Sequence, residues 1–284
     1  MKLKFNNGKF KILLFGDIHE NEDYKTSLNF KDMRKLMNAA LDEYNPDLCV
    51  LLGDNCNTDL YKKDPEEFRK MVIAVCEPII NRNIPYALIL GNHEHDLGHE
   101  DEIVEIYSKM HGCISRNDAP EITGNANWKE FIYSSDGETP KFCLWFIDSN
   151  NVCCDRKLSH YDYVHHDQIR WFERESEKNK ELNGGEPMPS FVFQHTPVPE
   201  EYKLLRKAHL WEIPWSAKGY KKKKKNRYML KKGATGYLGE GPCSPDVNSG
   251  QFASWKKVGG VLGAFFGHDH LNDMSGFVDG IFLA

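Results

Sequence analysis

Short apolar runs rich in β-branched and aromatic residues recur along the chain at 10–15, 48–52, 86–90, 142–147, 191–193, 261–266 and 277–283. Each is too short for an ordinary helix and predicts a buried strand. Between them the spacing changes. Met33, Leu36, Met37, Ala40, Leu41 and Tyr44 fall on one helical face, and Pro46 ends that helix. Phe68, Met71, Val72, Val75 and Ile79 stripe a second helix, whose start is marked by Asp64 as N-cap, Pro65 at the first helical position and Glu67 where a capping box needs it. Ile103, Val104, Ile106, Tyr107 and Met110 predict a third helix over 101–110, and Ile169, Trp171 and Phe172 a fourth over 165–180. Strand runs alternating with helical patterns predict an α/β layered fold.

The stretch 197–250 breaks this rhythm. Prolines, glycines, aromatics and the lysines 221–225 replace any periodicity there, which predicts a long irregular insertion over the body. The lysine run reads as a solvated loop. Trp211, Trp215, Tyr220, Tyr228 and Tyr237 are expected to pack that loop down, although aromatics over a site can also stack on a nucleoside or sugar.

Composition narrows the picture. A chain of 284 residues with 40% hydrophobic content can bury a sizeable core, and no linker divides it, so 1–284 reads as a single domain. The net charge of -5 argues against a general nucleic-acid or membrane-surface binder but leaves room for a local basic patch. Eight cysteines without a CxxC pair are not a disulfide framework, and reduced thiols point to a cytoplasmic protein. The first apolar run leads straight into a charged motif, as a strand does and a signal peptide does not.

Groups able to hold metal lie just beyond the predicted strands. Asp17 and His19 follow the first in GDIHE, Asp54 follows the second in GDN, and Asn92 and His93 follow the third in GNHEH. His195 follows a later strand in FQHTP, and His268 and His270 follow another in GHDH. Singly these are weak, since GD is a common turn dipeptide and HTP is hardly a motif. Together they sit at the edge where open α/β sheets bind ligands, and would converge on one crevice. Asp17 and His19, two apart in an extended segment, point the same way and can share a cation. Mixed oxygen and nitrogen donors suit zinc, iron or manganese better than calcium. Asp54 can bridge two cations, and Asn92 offers a neutral amide oxygen. Two cations about 3.5 to 4 Å apart polarise a bridging water into hydroxide for in-line attack at phosphorus. His95, His99, His111, His160, His165, His166 and His209 read as surface or satisfied polar groups, with His95 adjoining the constellation.

The ordered set DxH, GD, GNH plus an acidic residue, a single His and GHxH resembles the calcineurin-like metallophosphoesterases, from about residue 10 to the end. QHTPVPEEY, NSGQF and FFGHDHLND resemble the branch related to purple acid phosphatases. The resemblance implies an α-β-β-α sandwich of two mixed sheets packed face to face and flanked by helices. It implies that Asp17, His19, Asp54 and His270 hold one metal ion, that Asp54, Asn92, His195 and His268 hold a second, and that His93 is free to act on the phosphoryl oxygens or the leaving alkoxide. Two departures stand out. His19 replaces the glycine of true purple acid phosphatases, and Asn57 replaces both their metal-bound tyrosine and the aspartate of phosphoprotein phosphatases. The sequence also ends soon after His270, where family members continue into further strands, which implies either a shortened chain or a sheet without its closing strands.

The expected activity is therefore hydrolysis of a small-molecule phosphate mono- or diester with two metal ions (Mn, Fe or Zn). A nuclease or cyclic-nucleotide-type phosphodiesterase is the alternative, followed by a binding module without activity. Neither a nucleic acid nor a membrane is an expected partner, and oligomeric state is left open.

Overall fold

The computed structural model describes residues 2–284. Along the chain run β1 (Leu3–Lys4), β2 (Ile12–Phe15), α1 (Leu28–Tyr44), β3 (Leu48–Leu51), α2 (Leu60–Lys63), α3 (Pro65–Ile80), β4 (Tyr86–Leu88), α4 (Asn92–Asp96) and α5 (Glu100–Ser108). There follow β5 (Trp128–Tyr133), β6 (Pro140–Phe146), α6 (His166–Leu182), β7 (Ser190–Phe193), β8 (Leu205–Lys207), β9 (Ala217–Lys218) and β10 (Arg227–Leu230). The chain closes with α7 (Gln251–Val258), β11 (Val261–Phe265), β12 (Gly276–Val278) and β13 (Ile281–Leu283).

Two sheets form the body. One is mixed, in the order β1-β5-β6-β7-β11-β13-β12; the other, β2-β3-β4, is parallel throughout. Their stacking follows from the two-residue period of β6. Leu144 and Phe146 face the core shared with β2, β3 and β4 and with Met37, Leu41, Phe68 and Val72 of the helices beyond. Cys143 and Trp145 face the opposite core, where α6 supplies Trp171 and Phe172 and α7 supplies Phe252 and Trp255. Both faces of β6 are dry, so the order of layers is helix, sheet, sheet, helix, as the resemblance implies. Trp128 stacks on Phe146 at 4.4 Å between ring centroids, and Phe146 on Phe193 at 5.3 Å, filling the space between the sheets.

Several local expectations are refined. Leu36 and Tyr44 are exposed, and α1 buries Phe30, Met37 and Leu41 instead, a narrower stripe than the sequence spacing suggests. Asp64 caps α3 by accepting from the Glu66 and Glu67 amides at 3.1 and 3.2 Å, but the Glu67 side chain reaches Lys25 and Lys70 rather than closing a capping box. The run 277–283 is a hairpin, not one strand: Asp279 and Gly280 both adopt positive φ (48° and 89°), the geometry of a two-residue turn.

The insertion 197–250 is also more ordered than its composition predicts. It holds the antiparallel sheet β8-β10-β9 and three 3₁₀ turns, elements too short to leave a period in sequence. Its aromatics divide. Tyr220 and Tyr228 are half-buried, whereas Trp211, Trp215 and Tyr237 are exposed and do not pack the loop onto the body.

Phe146→Ala, at the centre of the interface between the sheets, should lower the unfolding free energy by about 3 to 5 kcal/mol. Asp64→Ala, which removes only a cap, should cost about 1 kcal/mol. Urea titration followed by circular dichroism measures both, and equal losses would contradict this account of where the core sits.

Candidate metal centre

All five polar motifs begin within three residues of a strand's carboxyl end, and the parallel pairing of β2, β3 and β4 and of β7 and β11 brings those ends to one edge. The loops after β2 and β3 continue to pair: the Asp17 amide donates to Gly53 O, His19 N to Asp54 O and Glu20 N to Asn55 O. Asp17, His19, Asp54 and His268 take φ of 53°, 51°, 49° and 74°, a left-handed backbone that side chains other than glycine rarely adopt. Such outliers persist where the surroundings over-determine them.

Glu94 supplies much of that determination here. It is fully buried, and its carboxylate accepts from the amides of Gly91 (2.8 Å), Asp54 (3.0 Å) and Asn55 (2.8 Å) and from the Asn55 side chain (3.2 Å). One side chain thus ties the loop after β4 to the loop after β3. The loops are so close that a Cβ on Gly91 would collide with the Asp54 carboxylate, and one on Gly53 would stand 2.7 Å from Gly91 N and 2.8 Å from His195 Nδ1. Only glycine fits at these two positions.

The structure brings all seven expected ligands and His93 together. Asp17, His19, Asp54 and His270 form one group of converging donor atoms, and Asp54, His195 and His268 a second. His19 Nε2 lies 2.9 Å from His270 Nε2 and 3.7 Å from Asp54 Oδ2. His195 Nε2 lies 3.3 Å from Asp54 Oδ2, 3.2 Å from Asn92 Oδ1 and 3.2 Å from His268 Nδ1, so Asn92 joins the second group. His195 Nδ1 stands 2.8 Å from Leu52 O and must donate to it, because a carbonyl only accepts. A neutral His195 therefore turns a bare nitrogen lone pair toward two oxygens and another imidazole. Lone pairs that converge in this way call for a cation, and the donor set fits two of them.

The electrostatics agree. Burial and the neighbouring imidazoles hold His19 down to about 4 and His268 down to about 3, despite the opposing pull of Asp54. Burial alone would raise Asp54, but His195 and His93 outweigh it and keep Asp54 ionised below the usual carboxylate range. Burial likewise opposes charge on His195, yet Asp54 and Asp17 push it up to about 9.

His93 stands apart from both groups. Its Nε2 is 3.9 Å from Asp54 Oδ2, its Nδ1 is 3.2 Å from Asp96, and the side chain is one-third exposed. Sequence reasoning missed Asp96, which lies one helical turn on, and missed the part played by Glu94. Acidic residues two apart in a short polar run look like any solvated turn. His95 is a satisfied polar group, as expected, but a buried one: it meets Asp148 at 2.8 Å and Glu100 at 3.2 Å. Asp148 also accepts from the amides of Asn125 and Asn150, fixing the loop after β6 beside the site.

A layered α/β sandwich that gathers carboxylates and imidazoles at its strand ends defines a class of metal-dependent hydrolase scaffolds. The chain belongs to the calcineurin-like phosphoesterase family, whose model matches residues 10–272. It is 26% identical to "Probable inactive purple acid phosphatase 29" of Arabidopsis thaliana over 99% of this chain and 72% of that protein. It is also 26% identical to "Phosphatase DCR2" of Saccharomyces cerevisiae, over 94% of this chain and 45% of that one. A dimetal phosphatase from Danio rerio shares the fold with a TM-score of 0.56 at 12% identity, over 96% of this chain and 86% of that one.

Glu94→Gln replaces an acceptor of several buried amides by a group that turns a donor toward some of them, and should lower the unfolding free energy by about 2 to 3 kcal/mol, measured by denaturant titration; a neutral outcome would show that the loops hold themselves. His95 gives a pH signature. Burial opposes its charge, but Asp148 and Glu100 raise it from 6.5 to about 10. Its contribution is therefore complete below the unfolded value and lost as pH rises through the folded one. Stability should fall between about pH 6.5 and 10, and His95→Gln should flatten that slope in thermal melts across the range.

Proposed function

We propose that the chain hydrolyses phosphate esters at a dinuclear metal centre, as a phosphomonoesterase or phosphodiesterase. The observation that carries this is the position of the Asp54 carboxylate, 3.3 Å from His195 and 3.7 Å from His19 and thus common to both donor groups. Asp17, His19, Asp54 and His270 would hold one cation, and Asp54, Asn92, His195 and His268 the other. When bound, such a pair supplies a nucleophile at neutral pH and offsets the charge of the phosphoryl oxygens.

The chain's own residues do the rest. The Glu94 and Asp148 networks hold the loops, so the ligands need no reorganisation when charge develops. The Asp96 carboxylate stands 3.2 Å from His93 Nδ1, on the far side of the ring from Nε2, which lies 3.9 Å from Asp54 Oδ2. From there His93 can donate a proton to the departing alkoxide. In orienting His93, Asp96 fills the role that Asn57, exposed and on another loop, does not.

The plant relative named above carries "inactive" in its name, whereas the yeast relative is named a phosphatase. The convergence of all seven donors here, with His93 oriented beside them, supports activity. Mn, Fe and Zn each suit such donors.

On an aryl phosphate with added manganese, iron or zinc, His93→Ala should lower kcat by about 100-fold to 10,000-fold with metal content unchanged. Asp96→Asn should lower kcat about tenfold with KM little altered, since it acts through His93. Asp54→Asn should abolish both metal binding and activity, and chelation should mimic it. Full activity in His93→Ala, or in protein shown by elemental analysis to be metal-free, would defeat the mechanism.

A further inference from the structure

We propose that the tip of the insertion docks the protein onto an anionic membrane surface. Leu210, Trp211, Ile213 and Trp215 lie on one 3₁₀ turn and are 84%, 71%, 41% and 75% exposed. Four large apolar side chains exposed within six residues form a contiguous apolar segment, the wedge of the insertion, rather than scattered surface residues. The turn leaves the same end of the small sheet as the lysine run: Ala208 N donates to Arg227 O at 2.8 Å, and Gly219 N to Asn226 O at 3.0 Å.

Positive charge predominates around the wedge, although Asp155 and Asp246 stand at its rim. Between residues 206 and 227 stand seven lysines and two arginines against one carboxylate, Glu212, which is already paired with Arg206. Lys207, Lys218, Lys221, Lys222, Lys224 and Lys225 are exposed. Lys222 reaches the Leu158 carbonyl, bringing the exposed Arg156-Lys157-Leu158 corner to the same rim. The net charge of -5 for the whole chain averages this patch away, which is why composition argued against a membrane partner.

Lysines around exposed indoles and aliphatics match an anionic bilayer: the cations meet the headgroups, and Trp, Leu and Ile enter the interface. A nucleic acid would use the cations but not Leu210 or Ile213. One face of Trp211 is also already covered by His209, stacked at 4.6 Å and 5°, which leaves that indole half the stacking surface a base would want. No helix among the described residues is long and apolar enough to cross a membrane. At the base of the tip Tyr220 stacks on Tyr161, and Tyr161 meets His268 edge-on at 4.3 Å. The tip thus adjoins the metal-site edge through these two rings. The proposal does not depend on catalysis.

Co-sedimentation of the full chain with vesicles of phosphatidylcholine, alone or with about 30% phosphatidylserine, tests it. Binding is expected with phosphatidylserine only, and should weaken about tenfold or more in Trp211→Ser/Trp215→Ser and, separately, when lysines 221–225 become Gln. All substituted side chains but Lys223 are exposed, so unchanged thermal melts should show that both variants fold. Failure to bind phosphatidylserine vesicles overturns the proposal. So does binding that ignores the tryptophan substitutions, which would reduce the patch to unspecific attraction. Preferential capture of a single-stranded oligonucleotide, lost in the tryptophan variant, would assign the tip to nucleic acid instead.

Discussion

The Glu94 carboxylate is the contact on which the rest of the site depends. A metal centre built from loop residues needs every donor side chain to point inward, while the buried amides of the same loops must find acceptors elsewhere. Glu94 provides that acceptor for Gly91, Asp54 and Asn55 at once. Burial and the Asp54 charge push its own carboxyl above the usual range, and the amides oppose the rise. Fixing those amides holds Asp54 in its left-handed backbone, from which its carboxylate reaches both donor groups.

The layers make such a clamp worthwhile. The candidate ligands come from both sheets, Asp17, His19, Asp54 and Asn92 from the smaller one and His195, His268 and His270 from the larger, so their spacing is set by how closely the sheets stack. The aromatic column Trp128–Phe146–Phe193 sets that separation in the core. At the edge the separation is set by close backbone approaches that glycine alone permits. Gly53 against His195 Nδ1 and Gly267 against Asp17 Oδ2 are such approaches between the sheets, and Gly91 against Asp54 is one between neighbouring loops of the smaller sheet.

This explains what could be read in advance. The convergence of the polar motifs was legible because each lies just after an apolar run, and buried strands between turn residues are the plainest pattern in an α/β chain. The strand Trp128–Tyr133 was not legible, because WKEFIY mixes charge with aromatics and only Trp128 and Ile132 are buried. The hairpin at Asp279-Gly280 did carry a signal, a DG pair between apolar residues, but the flanking strands of three residues hid it within one run. Asp96, Glu94 and Asp148 act by partners distant in sequence or hidden in short polar turns, and only the fold reveals whom they meet. Leu36 and Tyr44 show the converse: spacing says which residues share a helical face, while the width of the buried stripe depends on what packs against it.

The same division separates the two proposed functional regions. Donor atoms must be held to fractions of an ångström, and they sit at strand ends braced by Glu94 and Asp148. Attraction to a charged surface tolerates loose geometry, and its cations occupy a turn and a hairpin carried on short strands. The stacked pair Tyr161 and Tyr220 joins the two, resting on His268 from one side and carrying the lysine turn on the other. A tilt of the insertion would therefore bear first on the His268 side of the centre, while the His19 and His270 side, reached through other loops, would stay in place.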